Sequence, residues 1–160
     1  MPLDLILPIC FLFSFIAYGF IAKWYALPAL RKITPESALV ILILPHTFRY
    51  IGLSFLIPGV TASPLPTTFA NPTAYGDLLS AVLAFIAIYA LRTKRHWANP
   101  AIWVFNIVGT ADLIVAVSIG TYLGAVKMMG STFFIPAILV PFLLVSHALI
   151  FRLLTNPKTR

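Results

Sequence analysis

The residues best suited to chemistry lie in the middle of an apolar stretch, residues 41–58, which is long enough to cross a bilayer. They are His46, Arg49 and Tyr50. A charged side chain at the bilayer centre costs about 2.5–3.5 kcal/mol on insertion scales, so such residues usually face the protein interior and have a partner there. The stretch therefore predicts a buried polar site.

Three further apolar stretches supply candidate partners for these residues. Asn106 and Asp112 lie in one, His147 lies in another, and Ser14 and Tyr18 lie in a third. Because Arg49 and Asp112 are both expected near the midplane, where each needs an opposite charge or water, we predict that they form an ion pair. The pair either fixes the register of the helices or belongs to a site that binds or moves something.

The two histidines allow a redox alternative. His46 and His147 are expected on different helices at similar depths, an arrangement in which two imidazoles hold b-type haem as axial ligands. Haem b is thus the one cofactor that the sequence suggests, with His46 and His147 as its metal ligands.

Motifs of known enzymes are absent from the sequence. It contains no glycine-rich phosphate loop, no His-Glu-x-x-His and no Gly-x-Ser-x-Gly, so we assign no catalytic residue and lean against an enzyme. His46 and Asp112 could act as acid and base in lipid-modifying or isomerase chemistry, which stays an alternative. Cys10 is the only cysteine, which excludes an internal disulfide and a thiolate metal cluster.

These residues favour a small transporter, channel or ligand-binding membrane protein, for protons or for a small anionic or polar ligand. In this interpretation Arg49 binds an anionic group or holds Asp112 ionised, and the histidines relay protons toward the cytoplasm. The alternatives are a haem-binding redox protein or cytochrome subunit and a structural or accessory membrane subunit. The expected ligand-binding residues are His46, Arg49, Tyr50, Asn106, Asp112 and His147.

The composition is that of a membrane protein. The chain has 160 residues, of which 61% are hydrophobic and 9% charged, whereas soluble domains have about 25% charged residues. The net charge of +7 comes from cations at the ends of apolar stretches, where they meet lipid headgroups. We therefore expect the lipid bilayer as a partner and no nucleic acid.

Five apolar stretches are long enough to span a bilayer, and no polar block is long enough to form a second domain. The sequence predicts an all-α integral membrane protein, a single domain over residues 1–160. The predicted transmembrane helices cover residues 3–22, 36–57, 72–91, 100–122 and 132–154.

Proline positions predict where the second and third helices begin. Thr34-Pro35 and Asn71-Pro72 each resemble an N-cap followed by proline in the first turn. With a start at Pro72, Asp77 would lie near the outer end of its helix, within reach of water.

Pro45 should disturb the second helix just before His46. A proline in a helix interior leaves a backbone carbonyl without its usual N–H partner. We expect His46 or Arg49 to satisfy that carbonyl.

The distribution of cations predicts the orientation. With five helices, nine of the ten lysines and arginines outside Arg49 fall on one side, and only Lys127 falls on the other. The positive-inside rule then puts the N-terminus outside and the C-terminus in the cytoplasm of a multi-pass protein in the cell (inner) membrane.

Small residues recur at four-residue spacing in two helices, which allows helices to approach closely. One ridge serves packing within the chain, and the other serves a homo-oligomer or a larger membrane complex. The ridges are Gly76, Ser80 and Ala84, and Ala116, Gly120 and Gly124.

No acid other than Asp112 is expected as deep in the bilayer as Arg49. A carboxylate left alone can take up a proton, whereas a guanidinium cannot lose one. We therefore expect Asp112→Asn to destabilise the protein more than Arg49→Gln.

Overall fold

A computed structural model describes residues 3–155, and the side chains of residues 5–155. Within these residues the chain is helical and contains no strand, which confirms the all-α class. Two cations expected at the C-terminal end, Lys158 and Arg160, lie outside the described residues. Five helices are long and apolar enough to cross a membrane: α1 (Leu5–Leu30), α2 (Pro35–Leu56), α3 (Thr67–Arg92), α4 (Ala98–Tyr122) and α5 (Gly130–Thr155).

Helix α1 extends beyond its predicted end at residue 22. Its α-helix, Leu3–Ile21, continues through a π-helical turn, Ala22–Ala26, into a short α-helix, Leu27–Leu30. Most of the predicted connector is therefore helical.

Helix α3 begins at Thr67 rather than at Pro72. The carbonyl of Pro66 accepts hydrogen bonds from the backbone N–H groups of Phe69 and Ala70, so the first turn forms there. Pro72 lies inside the helix and does not start it. The predicted start was therefore five residues too late.

Helix α2 changes type in its middle. It begins as predicted, with the Thr34 side chain accepting a hydrogen bond from the Ser37 N–H, and runs as an α-helix over Pro35–Ile43. From Leu44 to Leu56 it is a 3₁₀-helix. This helix type has three residues per turn and rarely runs beyond three or four residues. Residues three apart are eclipsed, so one straight row faces inward: His46, Arg49, Gly52 and Phe55.

The change of helix type coincides with Pro45, which has no N–H group to donate. A residue with an N–H group at position 45 would donate to the Ile41 carbonyl in an α-helix and to the Leu42 carbonyl in a 3₁₀-helix, and the Leu42 carbonyl accepts a hydrogen bond from the Ser146 hydroxyl on α5 at 2.8 Å. The expectation that His46 or Arg49 satisfies the freed carbonyl was wrong, because the Arg49 nitrogens donate to other helices and the His46 ring nitrogens have no partner among the described residues.

Helix α3 lies between α2 and α4, α5 packs on both α2 and α4, and α1 packs mainly on α5. The buried face of α3 consists mostly of small residues, which lets α2 and α4 approach it closely. Its buried alanines are Ala70, Ala74, Ala81, Ala84, Ala87 and Ala90. Large apolar side chains such as Tyr75 and Phe85 point outward, each 58% exposed.

The helix connections form two different ends of the bundle. At the loop end, two backbone hydrogen bonds join residues 57–66 to residues 128–131: Ala62 N–H to the Met128 carbonyl at 3.0 Å and Ser131 N–H to the Val60 carbonyl at 3.3 Å. The opposite end, the basic end, holds the connections at residues 31–34 and 93–97. Arg31 and Arg152 line one crevice there.

The half of the bundle next to the basic end, the packed half, is filled with apolar side chains. Ile43, Ile102, Phe105 and Ile150 are each at most 2% exposed and belong to one cluster with alanines of α3. This cluster fills the space between the helices on the basic-end side of the polar residues.

Candidate functional site

Arg49 is at the centre of the polar site and is 1% exposed. Its three side-chain nitrogens donate hydrogen bonds to three different groups. Nε bonds Oδ1 of Asp77 at 2.8 Å, Nη1 bonds the Gly109 carbonyl at 3.0 Å, and Nη2 bonds Oδ2 of Asp112 at 2.5 Å. The Arg49–Asp112 pair expected from the sequence is present, and Asp77 is a second acidic partner.

Asp77 lies deeper along its helix than the sequence predicted. Because α3 starts at Thr67, this acid lies about 15 Å along the helix at 1.5 Å per residue, instead of about 7.5 Å from a start at Pro72. It is 6% exposed, so the expectation that it reaches water near the helix end was wrong. No side-chain cap marks the earlier start at Pro66, so the local sequence did not indicate it.

Three glycines make room for the charged and polar side chains. A Cβ atom at Gly52 would overlap the Asp77 carboxylate, and one at Gly76 would overlap the Asp112 carboxylate. A Cβ at Gly109 would lie 2.8 Å from Cε1 of His147 and 3.0 Å from Nη1 of Arg49. Gly76 therefore leaves space for the Asp112 carboxylate of the same chain, a role that the ridge pattern did not indicate.

The second ridge also differs from its prediction. Gly120 faces the Phe69 ring of the same chain, and a Cβ there would lie 2.9 Å from its Cε2 atom. Gly124 lies beyond the end of α4 with φ +61°, a left-handed conformation that favours glycine, and a Cβ there would meet nothing within 4 Å. It ends the helix and does not form part of a ridge.

His147 and Asn106 hold each other in place. Nδ1 of His147 lies 2.6 Å from Oδ1 of Asn106, and Nδ2 of Asn106 donates to the His147 carbonyl at 3.3 Å. Since an amide oxygen only accepts hydrogen bonds, this pairing assigns the proton to Nδ1 and leaves Nε2 with a lone pair. Nε2 of His147 and both ring nitrogens of His46 have no hydrogen-bond partner among the described residues.

The histidine geometry does not fit haem. The rings of His46 and His147 are in contact, with centroids 4.2 Å apart, and the Phe105 ring packs against both. Axial ligation would require iron and the porphyrin plane between the two rings. In the described part of the chain, no group of three or more His, Cys, Asp or Glu residues is arranged to hold a metal ion.

Tyr50 lies apart from the other predicted site residues. Its side chain is 49% exposed and lies beside Phe48 on the outer surface of α2. In a 3₁₀-helix each residue is rotated by about a third of a turn, so the residue after Arg49 points away from the site. The other five predicted residues converge on one cluster, in which Asp112 is partly buried and the rest are buried: His46, Arg49, Asn106, Asp112 and His147.

A cavity of about 420 Å³ occupies the loop-end half of the bundle, and all five helices contribute to its walls. Its volume is within the range of about 300–1,000 Å³ that is typical of small-molecule sites. Most of its wall is apolar, with Phe11, Phe55 and Phe69 among its residues. Asp77 also lines it, and is the lining residue of α3 farthest from the loop end.

A family model described as Domain of unknown function (DUF8737) matches residues 6–155. The chain belongs to this family. No curated protein and no solved structure matches the chain.

The charges of the site do not balance. A guanidinium in a protein stays protonated, so Arg49 with ionised Asp77 and Asp112 carries one net negative charge. A net charge in an apolar interior is costly. Arg49, Asp77 and Asp112 form the Arg49 triad. A proton on one of its carboxylates, or a cation next to it, would neutralise the triad.

Proposed function

We propose that the protein is a multi-pass protein of the cell membrane that binds a small ligand in the loop-end cavity and moves it, or protons, across the bilayer. The outward-facing large apolar side chains and the five long apolar helices support the membrane location. The cations at the basic end support a cytoplasmic position for that end, with the N-terminus outside. Labelling of Lys94 and Lys127 from opposite sides of the membrane is expected, and labelling from the same side would contradict this orientation.

One observation carries the proposal of a ligand site: Asp77 is both a wall of the cavity and a partner of Arg49. A molecule that fills the cavity therefore meets a charged group that is otherwise buried in the protein. An ion pair that only fixed helix register would need no adjoining cavity. This juxtaposition links the presence of a ligand to the charge state of the triad.

Transport requires a second conformation. Three layers follow one another from the cavity toward the basic end. The Arg49 triad is next to the cavity, the rings of His147 and His46 come second, and the apolar cluster of the packed half comes last. In our proposal the two histidines relay protons from the triad, and the cluster parts to complete the path. The 3₁₀ segment of α2 is suited to such a change because long 3₁₀ stretches often mark functional hinges.

Thermal unfolding in lipid nanodiscs tests whether the cavity binds ligands. The panel consists of small molecules that share an apolar body and differ in head group. We expect at least one of them to raise the unfolding temperature of the wild type, because a ligand that binds only the folded state stabilises it. Ala116→Phe fills the cavity from its wall and should abolish the shift. The matched control is Ala111→Phe, at an exposed position of the same helix outside the cavity.

Equal shifts in Ala116→Phe and the wild type, or no shift with any molecule, would contradict the proposal. A flux assay in proteoliposomes with the molecule that binds then separates transport from binding alone. Transport predicts flux that Ala116→Phe abolishes and Ala111→Phe leaves intact.

A further inference from the structure

The charge next to the cavity indicates which ligands it accepts. We propose that the cavity takes an amphiphilic organic cation, a protonated amine on an apolar body, with the amine at Asp77. This inference rests on the proposed function of the cavity as a ligand site. It differs from the anionic ligand that the sequence suggested.

An anion in the cavity would not reach Arg49. The Arg49 side chain is fully buried, and each of its three nitrogens already donates to a protein oxygen. Arg49 is absent from the cavity wall, whereas Asp77 is part of it. A negatively charged head group would therefore meet a carboxylate before it met the guanidinium.

The Asp77 carboxylate has capacity for a further donor. An ionised carboxylate offers about four lone-pair directions, and among the described residues its hydrogen bond comes from Nε of Arg49 alone. An ammonium group at Asp77 would also neutralise the net negative charge of the triad, in the role that a proton would otherwise have. Charge-assisted hydrogen bonds of this kind are about twice as strong as neutral ones.

The remaining wall selects the body of the ligand. It is mainly apolar, so a hydrated inorganic cation would lose its water without sufficient oxygen ligands in return. An apolar body is buried favourably against the same wall. Aromatic rings in the wall, among them Phe55 and Phe69, also favour a cation over an anion, because the face of an aromatic ring is negative.

Three ligands with the same body test the inference: benzylammonium, benzyl alcohol and benzoate. Their dissociation constants are measured by calorimetry at pH 7 with the full chain in nanodiscs. We expect benzylammonium to bind at least about tenfold more tightly than the other two, since a charged hydrogen bond contributes about 1.5–3 kcal/mol. Asp77→Asn should remove this preference, while Glu36→Gln, an exposed acid-to-amide change on α2 away from the cavity, should preserve it.

The outcomes separate the two proposals. Tightest binding of benzoate or benzyl alcohol would overturn the cation inference and leave the cavity as a ligand site. No binding of any of the three would count against both proposals. Benzylammonium binding that Ala116→Phe leaves unchanged would place the ligand elsewhere and overturn the inference. If Asp77→Asn does not fold, the wild-type ranking and the Ala116→Phe result still decide the question.

Discussion

In the half of the bundle next to the basic end, Ile43, Ile102 and Phe105 fill the space between the helices and are at most 2% exposed. In the half next to the loop end, the helices line a partly open cavity of about 420 Å³. The chain also departs from α-helical geometry there, in the 3₁₀ segment Leu44–Leu56 and the π-helical turn Ile135–Leu139. The irregular segments of α2 and α5 thus border the open space, whereas the π-helical turn of α1, Ala22–Ala26, lies toward the basic end.

The Arg49 triad and the histidines lie at the boundary between these halves. Arg49 belongs to the irregular segment of α2, while His147 contacts Phe105 of the packed half. A rigid platform on one side and an adaptable cavity on the other suit a site that must hold charges in place and admit a ligand. The comparison predicts that substitutions in the packed half change stability, and that those in the cavity mainly change binding.

The largest effect is expected at the boundary itself. Arg49→Gln leaves buried Asp77 and partly buried Asp112 without a counter-charge, and removal of one partner from a buried pair costs about 3–5 kcal/mol. The free energy of unfolding in detergent measures this loss. Arg31→Gln, at an exposed site of the basic end, is the matched control. A loss no larger than that of Arg31→Gln would show that the triad does not stabilise the fold.

The two halves are compared directly by removing one phenylalanine from each. Phe105→Ala should cost about 3–5 kcal/mol, as in soluble cores, because packed neighbours leave a void behind. Phe69→Ala should cost less, because this ring borders the cavity and already lacks contacts on that side. Unfolding measurements on both variants check the difference. Equal losses would contradict the contrast between a packed half and a hollow half.

Removing one acid should cost less than removing the arginine. Asp112→Asn leaves the neutral pair Arg49–Asp77, and Asp77→Asn leaves the neutral pair Arg49–Asp112, so we expect about 1–3 kcal/mol for each. The double variant leaves Arg49 without a counter-charge, so its loss should exceed the sum of the two. A double-mutant cycle measures this difference. Strict additivity would show that the two carboxylates do not share the arginine.

This order reverses the one expected from the sequence, in which Asp112→Asn was more harmful than Arg49→Gln. Asp112 was expected to be the one deep acid, because a helix start at Pro72 would put Asp77 near the surface. Composition and apolar length gave the five helices correctly, since those signals extend over about twenty residues. The start of the third helix could not be predicted in the same way, because two prolines, Pro66 and Pro72, were both possible starts. In the folded protein the Pro66 carbonyl accepts the first hydrogen bonds of the helix, so the helix begins there.

Tyr50 and Gly52 show the same limit within α2. A run of thirteen residues in 3₁₀ geometry is rare, and no local signal predicts one. Its three-residue period turns Tyr50 outward and brings Gly52 beneath the Asp77 carboxylate. The spacing of His46 and Arg49 was read correctly because residues three apart share a face in either helix type.

Stability losses no larger than those of the single acid changes are expected from added methyl groups at the boundary. Gly76→Ala places a Cβ in the space of the Asp112 carboxylate, and Gly109→Ala places one against His147 and Arg49. Overpacking of this kind costs about 1–3 kcal/mol. Gly19→Ala is the control, because a Cβ at Gly19 meets nothing within 4 Å. Unfolding measurements in detergent that give all three variants wild-type stability would contradict the close fit of the carboxylate and guanidinium to the helix backbone.

Cysteine labelling tests most directly whether the loop-end half holds a ligand-accessible cavity. On a Cys10→Ser background, Ala116→Cys puts a thiol in the cavity wall, and Ala87→Cys puts one in the packed half. With a small water-soluble thiol reagent in nanodiscs, we expect the thiol of Ala116→Cys to react and benzylammonium to slow its reaction. The thiol of Ala87→Cys should react only after unfolding. Equal reactivity at the two positions, or labelling of Ala116→Cys that benzylammonium, benzyl alcohol and benzoate all leave unchanged, would contradict a ligand site in this cavity.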